Sequence, residues 1–330
     1  MSEKNFYLNP MEPYPTLASF ANNIKLETNG MNIFYFEAGK KNEKTILMIH
    51  GLGDEADTWR HVIQPLAERF HVIAMDLPGF GRSDKPATKY SPGFFKYAII
   101  ELMDALSLNK VILMGSSLGA ILAQDLTLTH EDRVEGLILV DGGLLQIESM
   151  GGWSFRLMLL PLIGEWLYTR LRKDPQAAFN SLGNVYSDLA GLPEPDRTFL
   201  FTRVNKRVWS DGQRRAYFST LRKLTAYVLN QQSTLPDKLF YLETPTLVIH
   251  GQNDSLFPEV NARGIANVQP VAQLITINGS GHLPHQEHPQ LFLDAVNSWL
   301  EKLCSHTLVG RPPSTDKERK NDLFSRLFRF

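Results

Sequence analysis

The stretch that most constrains this chain is Gly115-Ser116-Ser117-Leu118-Gly119, which fits the pattern G-x-S-x-G and follows directly on the apolar run Val111-Ile112-Leu113-Met114. A buried strand that ends in this pattern and turns at once into a helix holds one serine, here Ser117, in a strained and exposed turn. The glycines have a steric reason: the turn brings backbone segments so close that a Cβ at position 115 or 119 would meet the turn itself or the neighbouring strand. Taken alone, the pattern also fits an ordinary serine at a helix entrance, so the surrounding segments decide between the two.

Those segments alternate. Residues 45 to 50, 71 to 76, 111 to 115 and 135 to 141 are continuous apolar runs, as expected for parallel strands covered on both faces. Helix-length segments fall near 58 to 69, 92 to 107 and 118 to 129, and Ile24 to Glu27 with Ile33 to Glu37 reads as an early hairpin across Asn29-Gly30. Further buried strands follow at Thr246-Leu247-Val248-Ile249-His250 and Leu274-Ile275-Thr276-Ile277. The succession predicts an α/β fold with a doubly wound, mostly parallel sheet of about eight strands.

Polar residues gather where these strands end. Thr45-Ile46-Leu47-Met48-Ile49 runs into His50-Gly51-Leu52-Gly53, the strand before Asp254 opens into Gly251-Gln252-Asn253, and Asn278-Gly279-Ser280-Gly281 leads to His282. Open parallel sheets place their ligand-binding groups at such carboxyl ends. The order along the chain is Ser117, Asp254, His282.

These motifs, together with Asp76-Leu77-Pro78-Gly79-Phe80-Gly81-Arg82-Ser83, resemble the α/β-hydrolase-fold enzymes over roughly residues 23 to 303. The resemblance implies that Ser117 is a nucleophile, His282 its general base and Asp254 the acid that orients the imidazole. It also implies that the backbone N–H groups of Leu52 and Leu118 form an oxyanion hole, since His50-Gly51-Leu52-Gly53 resembles an HGxG loop. Asp141, which ends the strand Leu137-Ile138-Leu139-Val140, is the alternative acid, because some members carry it there. His285 and His288 fall after Pro284 and before Pro289, nearer the start of the last helix, and match the pattern less well. His50 at the end of a buried strand is read as structural, and Asp76 as a hydrogen-bonded turn aspartate.

The resemblance divides the chain into an N-terminal extension (1–22), a core (23–141 and 240–304), a helical cap inserted after the sixth strand (142–239) and a linker with a tail (305–330). The cap carries Trp153, Phe155, Leu157, Met158, Leu159, Leu160, Leu162, Trp166, Leu167 and Tyr168, an apolar composition that points to a hydrophobic substrate. Its later part is basic, with Arg197, Arg203, Lys206, Arg207, Arg214, Arg215, Arg222 and Lys223 read as a solvated face, or as a surface for anionic lipid or substrate. The tail sets Leu323, Phe324, Leu327 and Phe328 against Arg319, Lys320, Arg326 and Arg329, the pattern of an interfacial amphipathic helix. Peripheral membrane contact through tail or cap is therefore left open.

Serine at position 117 excludes the alkyl-ester chemistry of the dehalogenases and epoxide hydrolases of this fold, which place an aspartate there, and indicates acyl transfer. The expected function is hydrolysis of a hydrophobic carboxylic ester. A carbon–carbon bond hydrolase of ring-fission products and a perhydrolase share the triad, and a non-catalytic ligand-binding member is the reading from another class. With 34 basic and 35 acidic residues, the net charge of -1 gives no general attraction to nucleic acid. The single Cys304 excludes an intramolecular disulfide, and no residue cluster in the sequence implies a metal or cofactor. The N-terminus lacks the apolar core of a secretory signal, which predicts a cytoplasmic protein, peripheral at a membrane if the tail or cap binds one.

Overall fold

A computed structural model describes residues 3–145, 157–231 and 233–305. Its centre is one eight-stranded sheet: β1 (Ala21–Lys25), β2 (Asn32–Ala38), β3 (Thr45–Ile49), β4 (His71–Met75), β5 (Val111–Ser116), β6 (Val134–Val140), β7 (Thr246–Gly251) and β8 (Ala272–Ile277). The spatial order is β1-β2-β4-β3-β5-β6-β7-β8. β2 runs antiparallel to both of its neighbours, and every pairing from β4 to β8 is parallel.

The continuous apolar runs are explained by two-sided burial. Every residue of β3, β4, β5 and β7 is buried, whereas the edge strands β1 and β8 are only partly covered. Side chains that alternate along a strand separate into two cores. Ile46, Met48, Ile112, Met114, Ile138 and Val140 join Phe292, Val296, Trp299 and Leu300 of the helix Pro289–Cys304 on one face. Leu47, Ile49, Leu113, Leu137 and Leu139 meet the helices Pro92–Ala105 and Leu118–Thr129 on the other. The first of these two helices starts where the sequence signals it, with Pro92 in the first turn and Ser91 Oγ accepting from Phe94 N at 3.2 Å.

The early hairpin is present, with Ile24 opposite Ile33 and Gly30 at φ +70° in the turn. β1 is shifted toward the N-terminus of the expected segment, because Leu26 leaves the ladder to close the turn through Gly30 N and Met31 O. Between β6 and β7 the described residues form helices and short 3₁₀ turns, the longest being Glu194–Trp209 and Asp211–Gln231. The segment before β1 is part of the body: Leu17 is fully buried and joins the core.

Two expectations about the cap are corrected. Arg203, Lys206 and Arg207 are not a solvated face but are buried. Arg203 and Arg207 are paired with Asp54, Glu55 and Asp57, and Arg203 and Lys206 donate to the carbonyls of Glu12 and Pro10. A charge leaves water only when such partners replace its hydration, and the helical period alone does not reveal them. Conversely, Leu160, Leu162 and Trp166 are 45%, 82% and 57% exposed, so much of the apolar run faces outward. Trp153, Phe155 and the tail residues 306–330 lie outside the described residues. No helix among those described is long and apolar enough to cross a membrane.

The sheet leaves a sharp steric test. A Cβ on Gly119 would lie 2.1 Å from Ile49 O, while one on Gly183 would meet nothing within 4 Å. Gly119→Ala is expected to cost on the order of 3 kcal/mol or more, and Gly183→Ala less than about 0.5 kcal/mol. Denaturant unfolding of both variants beside the wild type checks this.

Candidate active site

The turn after β5 has the strain that its sequence implies. Ser117 adopts φ +54° and ψ −116°, a conformation that L side chains rarely take. It is held there by Ser117 N donating to Val140 O at 2.9 Å, and by Ala120 N and Ile121 N donating to Ser117 O at 3.0 and 3.2 Å. The glycines are sterically compelled: a Cβ on Gly115 would lie 2.2 Å from Gly119 O, and one on Gly142 would lie 2.6 Å from Ser117 O. The loop after β3 lies against the serine, since a Cβ on Gly51 would be 3.2 Å from Ser117 Cβ and 3.8 Å from its Oγ. Among the described residues neither Leu52 N nor Leu118 N donates to a protein acceptor. Leu118 opens the helix, so its N–H has no intrahelical acceptor to reach.

Asp254 and His282 meet at the ends of β7 and β8. His282 Nδ1 lies 2.8 Å from Asp254 Oδ2, while Leu256 N and Phe257 N donate to Asp254 Oδ1 at 2.7 and 3.1 Å. Backbone bonds join the two loops, with Gln252 N donating to Ile277 O at 3.0 Å and Asn253 N to Ser280 O at 2.7 Å. Burial alone would raise the Asp254 carboxyl; the His282 hydrogen bond and charge and the two backbone donors hold it below its ordinary value. Burial alone would lower the His282 pKa; the hydrogen bond and charge of Asp254 outweigh it, and the pKa is raised. The Phe257 ring stacks beside the imidazole at 6.1 Å and 21°. Among the described residues Ser117 Oγ and His282 Nε2 make no hydrogen bond, to each other or elsewhere.

The competing residues are occupied. Asp141 accepts from Gly251 N at 2.7 Å and pairs with His250 Nδ1 at 3.1 Å, with no bond to His282. Burial pushes its pKa up to about 6. His50 is buried between two backbone groups: Nε2 accepts from Leu77 N at 2.9 Å and Nδ1 lies 2.7 Å from Gly51 O, a pattern that assigns the neutral Nδ1–H tautomer. His285 is buried against Trp59 and bonded to Thr58 Oγ1 at 2.9 Å; burial pushes its pKa down to about 3. Asp76 accepts from Ala56 N, Arg82 N and Arg82 Nε at 2.7, 2.7 and 2.8 Å. Burial opposes its charge, yet the Arg82 guanidinium and these donors bring its pKa down to about 2, the behaviour of a structural turn aspartate.

A family model for the alpha/beta hydrolase fold matches residues 44–289. The chain belongs to the α/β-hydrolase family. It is similar to an uncharacterized protein of Mycobacterium tuberculosis, 32% identical over 272 residues that cover 78% of this chain and 75% of that one. It is also similar to the 2-hydroxy-6-oxo-6-(2'-aminophenyl)hexa-2,4-dienoic acid hydrolase of Metapseudomonas resinovorans, 27% identical over 291 residues, 86% of this chain and 92% of the other. A thermophilic esterase from Thermogutta terrifontis shares the fold, with a TM-score of 0.68 at 23% identity, covering 86% of this chain and 98% of the esterase.

Several groups around this α/β-hydrolase site were not legible from motifs. Gly251 is compelled, because a Cβ there would lie 1.9 Å from Gly281 O, and Gly281 is in turn packed against Tyr186 and Ser187 of the cap. Tyr217, on the cap helix Asp211–Gln231, brings its ring to 3.1 Å from the Cβ position of Gly53 and stacks on Tyr168 at 5.7 Å. The one hint in the sequence is the acidic cluster Asp54, Glu55 and Asp57 straight after the loop. Asp141, His250 and Asp254 place one potential ligand atom each within 4.8 Å of one another. Each already has a protein partner, so the group reads as a buried hydrogen-bond network.

The two carboxylates are separable by experiment. If Asp254 orients His282, Asp254→Asn lowers the turnover of a nitrophenyl ester by about 10³ to 10⁴, while Asp141→Asn stays within about tenfold of the wild type. A general base works when neutral, so if His282 is that base its raised pKa puts loss of activity on the acid side. Removing the Asp254 charge lowers that pKa, and the acid limb of the residual activity moves to lower pH. A pH–rate profile for the three proteins checks both statements.

Proposed function

We propose that the protein is a serine hydrolase that cleaves a hydrophobic carboxylic ester through an acyl-enzyme intermediate. The observation that carries this reading is the Asp254–His282 pair, whose loops are bonded together one strand from the strained Ser117 turn. Nε2 of His282 takes the Ser117 proton as Oγ attacks the ester carbonyl. The negative charge that develops on the carbonyl oxygen is received by Leu52 N and Leu118 N. The proton then passes to the leaving alkoxide, which departs as the alcohol. Water attacks the acyl-serine with its proton going to His282, and collapse returns the proton to Ser117 Oγ and releases the acid. Asp254 keeps the imidazole in the Nδ1–H tautomer and stabilises its positive form.

Tyr217, beside Gly53 and stacked on Tyr168, supports a hydrophobic substrate. Carbon–carbon bond hydrolysis is the second reading, favoured by the similarity to a dienoic acid hydrolase. A dienoic acid carries a carboxylate that calls for a cation in the site. The buried cap arginines that reach this loop, Arg203 and Arg207, are already engaged by Asp54, Glu55 and Asp57, which supports the uncharged ester.

Hydrolysis of nitrophenyl esters from acetate to palmitate tests the proposal. Turnover should peak at one chain length and fall by about 10⁴ or more in Ser117→Ala. If no ester is turned over while a dienol ring-fission product loses its absorbance with the wild type, the carbon–carbon reading replaces it.

A further inference from the structure

The cap grips the loop that follows β3 at three successive residues. Gln213 Nε2 donates to Gly53 O at 3.4 Å, and the Tyr217 ring covers the Gly53 Cα. Arg207 donates from Nε to Glu55 Oε2 at 2.8 Å and from Nη2 to Glu55 Oε1 at 2.6 Å, with a further bond from Nη2 to Asp54 Oδ1. Arg207 is 8% exposed and Glu55 not at all. The neighbouring Arg203 adds Nε to Glu55 Oε1 at 3.2 Å. Below the loop, Asp76 holds Ala56 N at 2.7 Å.

From this we propose that Arg207 is a positioning residue for the reaction proposed above, fixing the Leu52 N–H through Asp54 and Glu55. An oxyanion donor is useful only if its direction is set before charge develops, since reorganising it during reaction costs part of the stabilisation. A fork-shaped guanidinium bonded to two consecutive carboxylates fixes the course of the backbone between them, which a point charge on a flexible stem does not. Burial makes the grip stiff: neither Glu55 nor Arg207 can separate without leaving an unpaired charge in the interior. The cap therefore supplies one wall of the oxyanion loop as well as covering the site.

The inference rests on the ester-hydrolase reading, and two readouts keep the two apart. Arg207→Lys retains the charge and loses the fork. Asp54→Asn keeps the shape of the side chain, removes its charge beside Arg207 and leaves the buried Glu55 pair intact, so it stays informative should the first variant fail to fold. For Arg207→Lys, kcat is expected to fall about ten- to a hundredfold with KM within about threefold, and for Asp54→Asn about three- to tenfold in kcat. The acid limb of the pH profile should stay in place in both, because His282 keeps Asp254. Amide hydrogen exchange, which needs no substrate, should quicken by about tenfold or more in the peptide covering residues 51–55 and stay unchanged in the peptides covering Asp254 and His282.

Exchange at wild-type rates in the variants overturns the proposal, whatever the kinetics. Faster exchange with unchanged kcat overturns it as well, since the grip would then be structural alone. A rise in KM with constant kcat would assign Arg207 to substrate binding instead. If the wild type turns over no ester, the functional reading fails while the exchange measurement still decides the grip.

Discussion

Everything in this molecule is arranged around one close approach, the passage of Gly119 beneath the carbonyl of Ile49 at the end of β3. Because no side chain separates the two segments, the helix Leu118–Thr129 starts directly against the neighbouring strand. The His50–Gly53 loop that leaves that strand is thereby laid beside Ser117. The positive φ of Ser117 is a cost of the same turn, and the buried strands on either side over-determine it. A site of this kind cannot be loosened locally, since the contact that places the serine is also the contact that seats the helix Leu118–Thr129 against β3.

The β7 and β8 ends solve a different problem, which is to keep a carboxylate charged in a dry place. Asp254 and Asp141 both stand beyond strand ends and both are buried, yet their pKa values move in opposite directions. Two backbone donors and the imidazole face Asp254. Asp141 has one backbone donor and His250, and among the described residues its second oxygen has no partner. The number of donors aimed at the charged form separates an ionised acid from one that protonates easily. Chain order alone leaves both carboxylates open, and the hydrogen bonds separate them.

Much of this architecture was legible in the residues because the signals are local. A run such as Ile46–Ile49 needs no partner to announce that it is buried twice over, and the glycines at 115 and 119 mark close approaches wherever their neighbours come from. The cap was legible only as an insertion. Its charges pair with residues far away in sequence: Glu55 and Arg207 are 152 positions apart, and Lys206 reaches Pro10 across 196. A helix bearing Arg203, Lys206 and Arg207 at intervals of three and one has the same local pattern whether it faces water or a row of carboxylates. Composition misleads here in both directions, since the buried face is charged while Leu162 and Trp166 are exposed.

The ion pairs between cap and core also change what a cap means for this site. Replacing such pairs by apolar residues of similar volume is often neutral or stabilising, so stability gives little reason to keep them. What these charged pairs provide is a directional tie between the cap helix and one point of the core, since Arg203 and Arg207, one turn apart on that helix, converge on the buried Glu55. The N-terminal segment joins the same arrangement: Asp57 accepts from Tyr14 N at 2.6 Å while also binding Arg82 and facing Arg203. Extension, cap and core thus share one buried network, and it lies immediately after the loop on which an oxyanion would depend. A fold that needed its cap only as a cover could have attached it with leucines.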